Sequence, residues 1–467
     1  MKKEEASSGV KPFGLRDKFA YMFGDVGNGL MFGFASSYLI VFYTNVLGVS
    51  AAIAGVLFLV ARFIDAFTDI GMGIIVDRTK PTKDGKFRPW IKRVCIFAVL
   101  GSFLLYQSGM AAAPMWLKIV YMFVTYILWG SFAYTAINIP YGSMASVVTN
   151  NPTERAELST FRSVGSLGAT ILLGMFVSQV LYVEVDGQEV VSASAYVMVA
   201  AVISILALIF YLLCYAFSIE RVKIEQVPKE KKKPMKESMM SLVKNKSMVA
   251  LVIMTVFSLT STFVGQSTSS YLFINWFNNN NALTVSYLLQ LPLMIIMMFV
   301  VGAITDRFGK KEVGAIGYIV YGVVKVILGF MNISNPWTYL AIQFIGSIGL
   351  TYSNVTVWAL VTDVLDDVEV RTGDSENGVV YGVFSFSRKA GQALGGGLGG
   401  FALSFVGYVE GASVQTAAVN LGIYKIACFL PGITMLIAGI VLLFFYPLSR
   451  DKVKENSLIL AERKKAA

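Results

Sequence analysis

Arg62, Asp65 and Asp69 stand inside an otherwise apolar run, LVARFIDAFTDIGMGIIVDRTK, at residues 59–80. An ionised group at a bilayer centre costs about 2.5–3.5 kcal/mol on insertion scales, and such groups usually face a bundle interior or a water-filled cavity. At positions 62, 65 and 69 the three share one face of an α-helix. The two aspartates, four apart, lie about 6 Å from one another. Carboxylates that close in a low-dielectric site cannot both stay ionised without compensation. A bound Na⁺ with oxygen ligands supplies it, as does a proton, and occupancy is then coupled to the charge of the site. A static ion pair with Arg62 or with Lys389 also supplies it, and the residues alone leave both open. Other chemistry is poorly provided for. The chain has no histidine, the commonest general base and metal ligand, and its three cysteines, Cys95, Cys214 and Cys428, fall in apolar stretches with no metal-ligand spacing. An enzyme acting on lipid-linked sugars would need acid–base motifs that are missing here, so no enzyme, resident metal or cofactor is expected.

The elements that position these charges are membrane spans. Of 467 residues 55% are hydrophobic and only 15% charged, against roughly 25% charged in a soluble protein, and the mean hydropathy is +0.65. Twelve stretches are long enough to cross a hydrocarbon core of about 30 Å. They are 18–46, 51–76, 92–113, 116–147, 156–183, 193–218, 248–276, 283–305, 313–332, 336–366, 378–408 and 421–447. The polar N-terminus, MKKEEASSGVKPFGLRDK, has no apolar core, so no signal peptide is expected.

The net charge of +10 is a topology signal rather than a nucleic-acid footprint. Lys and Arg gather in 77–93, 221–246, 306–311 and the C-terminal tail, while the alternate connections are nearly free of them. Both termini and the central loop are therefore expected on the cytoplasmic side of a cell membrane, with anionic lipid as a secondary contact. The expected organisation is a six-helix bundle over 1–220, a basic loop over 221–247, a second six-helix bundle over 248–448, and a cytoplasmic tail over 449–467.

The halves echo one another. Gly73-x-x-x-Asp77-Arg78 closes the second span and Gly302-x-x-x-Asp306-Arg307 the eighth, 229 positions on; Arg162-x-x-Gly165 recurs as Arg388-x-x-Gly391, 226 on. Six-helix repeats with a site near the midplane between them are a transporter architecture. The glycine-rich stretches 346–349 and 391–400 let helices approach closely. Neither has the Lys-Ser ending of a phosphate loop, so an ion gradient, or no coupling at all, is expected in place of ATP.

The loop GAITDRFGKK (302–311) resembles the signature of the major facilitator superfamily. The segments FGDVGNG (23–29), YTNVLGVSAAIAGVLFLVARFIDAFTDIGMG (43–73), GKFRPW (85–90), NIPYGSM (138–144), TERAELSTFRSVG (153–165) and SENGVVYGVFSFSRKAGQALGGGL (375–398) resemble the glycoside–pentoside–hexuronide:cation symporters. The resemblance spans both halves in order. It implies an all-α membrane protein of the major facilitator fold, twelve helices in two bundles, carrying a small-molecule sugar with Na⁺ or H⁺ by alternating access, and a monomer is expected. It also implies that Asp65 and Asp69 are the cation-site carboxylates, that Thr135 adds a hydroxyl and Lys389 lies near them, and that Arg162 serves the sugar, with Asp25 a family aspartate. Against melibiose permeases, Gly29 and Asn138 stand where acidic sugar ligands are, Thr68 replaces an asparagine tied to sodium choice, and Gly142 replaces a stacking tryptophan.

A sugar needs dense hydrogen bonding and a flat apolar face. Asn28 and Asn138 suit its hydroxyls; Tyr43, Tyr134 and Trp358 suit stacking. With two acids lost and Arg162 kept, the cavity is expected to be more positive and to accept a hexuronide, or a pentoside needing fewer contacts. Arg162 and Lys389 can alternatively snorkel, Arg388 is expected to be structural, and Lys325 and Lys425 suit cavity or helix contacts equally. Asp363, Asp366, Asp367 and Arg371, with Asp77, Arg78, Asp306 and Arg307, are expected to form a cytoplasmic gating network. A lipid transporter of the same fold, and an uncoupled exchanger or sensor, are the remaining alternatives.

Overall fold

A computed structural model describes residues 12–149, 151–185, 188–222, 245–372, 377–412 and 414–466. The chain divides into two compact units, Met1–Pro228 with Glu410–Ser413, and Lys229–Val409 with Val414–Ala467. Most of the expected central loop, 223–244, lies outside the described residues.

In the first unit Leu15–Val41 runs into a π-helical turn, Phe42–Val46, and is followed by Ala51–Arg78 and Arg88–Leu104. Met115–Tyr126 continues through a wide π-helical segment, Ile127–Tyr134, into Thr135–Val148. Pro152–Leu172 extends through Leu173–Val177 to Ser178–Leu181, and Ala193–Phe217 closes the unit. The Glu220 carboxylate accepts from the backbone N–H of Lys86, Phe87 and Arg88 at 2.7–2.8 Å. These orphan donors enter the Arg88–Leu104 helix, so an acid at this end satisfies them and complements the helix dipole. Lys118 donates to the Leu47 carbonyl at 2.8 Å.

The second unit holds Lys246–Tyr271 with its turn Leu272–Trp276, Asn280–Leu288, Gln290–Phe308, Lys310–Met331, Pro336–Thr372, Asn377–Phe405 and Ala417–Ile440 with its turn Val441–Phe445. Asn245 caps the first of these by accepting from Ser247 and Met248 N–H. The core gathers Met248, Leu251, Met254, Tyr318, Leu360, Val364, Phe384 and Met435.

Among the described residues ten helices are long and apolar enough to cross a membrane. The other two expected spans correspond to Arg88–Leu104, 17 residues long, and to Asn377–Phe405, which carries Arg388 and Lys389. The chain is a helical, multi-pass membrane protein. Three features differ from expectation. The span expected over 283–305 is broken at Leu289. A two-stranded hairpin, Tyr182–Val185 with Gln188–Val191, joins the last two helices of the first unit. The tail folds as a helix, Arg450–Ala466, in which Asn456 is buried and donates to Asp367 at 3.5 Å while Arg463 donates to the carbonyls of Glu369 and Val370.

Candidate functional site

The aspartates of the Ala51–Arg78 helix meet two hydroxyls of the neighbouring span. Ser131 Oγ donates to Asp65 Oδ1 at 2.5 Å, and Thr135 Oγ1 donates to Asp69 Oδ1 at 2.9 Å. Both rungs join residues 66 apart, so the two helices run in the same direction with matched spacing. Ser131 lies in the π-helical segment and Thr135 directly follows it; such segments are frequent at functional sites. Ser131 escaped the sequence reading. Its signal was the four-residue interval to Thr135, which repeats that of Asp65 to Asp69.

Arg62 Nη1 lies 2.8 Å from Asp65 Oδ2, and both side chains are largely buried. Its guanidinium also sits over the Phe32 ring, 5.3 Å from the centroid. Phe32 in turn stacks on Tyr134 at 5.7 Å. Thr68 turns its hydroxyl back to the carbonyls of Ile64 and Asp65.

Asp25, Asn28 and Phe32 occupy one face of the first helix, at the same spacing as 62, 65 and 69. Arg162 Nε donates to Asp25 Oδ1 at 3.1 Å, and the guanidinium lies over Tyr141, 5.3 Å from its centroid. Asn28 donates to Asn138 Oδ1 at 3.5 Å and accepts from the Tyr211 hydroxyl at 2.7 Å. Tyr211 and Tyr141 were not anticipated. Pairing with Asp25 corrects the expected surplus of positive charge, because Arg162 already has an acidic partner. Gly29 is corrected as well. A Cβ there would stand 2.8 Å from Ala169 Cβ, so the position faces the Pro152–Leu172 helix rather than a ligand space. Gly142, by contrast, would aim a Cβ at Arg162, 4.0 Å away.

Within the first unit the structure thus brings together Asp25, Asn28, Tyr134, Asn138 and Arg162 beside Asp65, Asp69 and Thr135. Tyr43 is 0% exposed and offers no ring face to a sugar, which corrects its candidacy. Lys389 and Trp358 belong to the second unit. There the Arg388 guanidinium lies over the Trp358 ring at 5.1 Å, so that ring already stacks on a cation. Lys425 is exposed and Lys325 buried.

The expected gating residues pair only partly with one another. Asp363 takes Lys310, at 2.5 Å, and Arg371 takes Asp367 at 3.0 Å, one turn back on its own helix. Asp367 also accepts from Asn245 and Ser247. Among the described residues Arg78, Asp306 and Arg307 are exposed and form no ion pair, and Arg307 lies over Phe308 instead. The Asp77 side chain lies outside the described residues.

A family model described as MFS/sugar transport protein matches residues 20–450. The chain is 32% identical over 452 residues to the glucuronide carrier protein homolog of Escherichia coli strain K12, covering 95% of each chain. It is 32% identical over 456 residues to the isoprimeverose transporter of Lactiplantibacillus pentosus, covering 96% of this chain and 92% of that one. A crystal structure of a D-xylose-proton symporter superposes with a TM-score of 0.63 at 14% identity, over 92% of this chain and 98% of that one. At that identity the likeness concerns the fold alone.

Proposed function

We propose, for a chain that belongs to the MFS/sugar transport protein family, that it imports a glycoside, pentoside or hexuronide by symport with Na⁺ or H⁺. Sugar transport on the major facilitator fold, without enzymatic chemistry, comes with membership of the family. Direction, coupling ion and sugar are the proposal, as is a cell-membrane location with both termini cytoplasmic, which rests on the Lys and Arg asymmetry.

The observation that carries it is the pair of rungs Asp65–Ser131 and Asp69–Thr135. Carboxylate and hydroxyl oxygens suit a hard cation, and carboxylates four residues apart also suit a shared proton. The sugar would lie against Asn28, Asn138 and Tyr134, with Arg162 and Asp25 orienting it. A cation entering between the aspartates weakens the field that holds Arg62 on Asp65. Arg62 lies on Phe32 and Phe32 on Tyr134, so the change reaches the sugar residues by direct contact. A reciprocal coupling of about 1–3 kcal/mol between the two sites suffices for symport. Alternating access then carries both across. A hexuronide carboxylate would compete with Asp25 for Arg162, whereas a neutral glycoside leaves that pair intact.

The test is substrate-induced current from reconstituted protein, with a panel of glycosides, pentosides and hexuronides, with and without Na⁺ at fixed pH, beside Asp69→Asn. Cation-dependent current for one class, lost in the variant, is expected. Absence of current with every sugar, or current indifferent to Asp69→Asn, would make the aspartates structural and the symport reading wrong.

A further inference from the structure

The second unit contains a cavity of its own. It measures about 200 Å³ and is lined by residues of Lys246–Tyr271, Asn280–Leu288, Gln290–Phe308, Lys310–Met331 and Pro336–Thr372. Among the described residues its lining includes a cation and no acid: Lys325 contributes, and no Asp or Glu does. Lys325 is only 5% exposed, so it does not reach water by snorkelling. Its Nζ donates to the Tyr339 hydroxyl at 2.8 Å and to Gln343 Oε1 at 3.1 Å. Both acceptors are neutral. Among the described residues no ion pair includes this ammonium, although a buried charge normally requires a counter-ion. The same cavity is lined by Gln266, whose Oε1 is buried and has no hydrogen-bond partner. A buried acceptor left unsatisfied in a native structure calls for an explanation.

Two unmet demands therefore share one space: a negative charge for Lys325 and a donor for Gln266. A halide would answer only the first and would leave most of the volume empty. A neutral sugar would answer only the second. An acyl chain would answer neither, and Thr262, Ser269, Ser286, Gln343 and Ser347 make the wall polar. The volume is well above what one water needs and below the roughly 300–1,000 Å³ of drug-sized pockets. We infer that this cavity is a binding site for a small hydroxylated organic anion, with the anionic group on Lys325 Nζ and a hydroxyl donated to Gln266 Oε1. Its lining residues all belong to the second unit, whereas Asp65, Asp69 and Arg162 belong to the first, and the proposal stands whether or not those residues couple a cation.

The test uses purified full-length protein in lipid nanodiscs, with calorimetric titration and thermal unfolding against D-glucuronate, D-glycerate and sodium chloride. At least one organic anion is expected to bind and to raise the melting temperature. Lys325→Met should weaken that binding at least tenfold, whereas Lys425→Met, an exposed lysine of the same unit outside the cavity lining, should leave it in place. Should Lys325→Met fail to fold, Gln343→Glu keeps the lysine and adds an internal counter-ion. That variant should raise the melting temperature without ligand and abolish the response to the anion. Binding that survives both cavity substitutions would overturn the proposal, as would an equal loss in Lys425→Met. Absence of binding by either organic anion would do so too, and so would an equal shift from chloride alone.

Discussion

Asp65 and Asp69 differ in what surrounds them: the first meets both Arg62 and Ser131, the second Thr135. Hydrogen bonds to charged groups contribute about 1.5–3 kcal/mol each. Ser131→Ala and Thr135→Ala are therefore each expected to raise the half-saturating cation concentration for sugar uptake about 10–100-fold. Ser131→Thr, which keeps a hydroxyl, should recover most of the loss. Cation titrations of uptake in proteoliposomes check this. A fall in maximal rate at unchanged cation dependence would reduce both hydroxyls to helix-packing roles. At this scale the charged residues were legible, because charge inside an apolar run is conspicuous. Ser131 was not, since a serine in a membrane helix is ordinary, and Thr135 was named through the family resemblance alone. Gly29 shows the converse error: aligned with a ligand position, it is turned by the helix crossing toward Ala169.

Helix crossings explain the second echo between the halves. A Cβ on Gly165 would lie 2.7 Å from the Met22 carbonyl oxygen, and one on Gly391 would lie 2.7 Å from the Val256 carbonyl oxygen. Each glycine lets the fifth helix of its half cross the first at close range. Backbone cannot yield as a side-chain tip does, and overpacking costs about 1–3 kcal/mol. Gly165→Ala and Gly391→Ala should both lower the melting temperature of the solubilised protein. Gly168→Ala, on the same helix as Gly165 and with nothing within 4 Å, should leave it unchanged or raise it, since alanine favours helix over glycine. Equal losses at all three positions would refute close crossing as the cause. The arginine three residues before each glycine also recurs in role: Arg162 lies over Tyr141 and Arg388 over Trp358. The break at Leu289 had a different signature, which hydropathy passes over: Pro292 has no N–H for the Leu288 carbonyl four residues back, where the helix ends.

The chain as a whole divides near Pro228, within its basic linker. Each unit is compact in itself, so separately encoded fragments 1–228 and 229–467 are expected to give sugar uptake when co-expressed, and neither alone. Uptake assays on whole cells check this, with membrane-fraction blots to show that both fragments insert; inserted but inactive pairs would mean that the covalent linker is required.

Apolar length, charge asymmetry and the two repeated motifs were determined by the sequence alone, since each is a property of order along the chain. So were the membrane class and the face shared by Arg62, Asp65 and Asp69, which follows from helical periodicity. Which partner each charge takes was decided by the tertiary structure. Asp25 against Arg162, Asp363 against Lys310 and Lys325 against Tyr339 and Gln343 all depend on the rotation of one helix relative to another. That rotation is set by side-chain packing over long sequence separations, which no local pattern records.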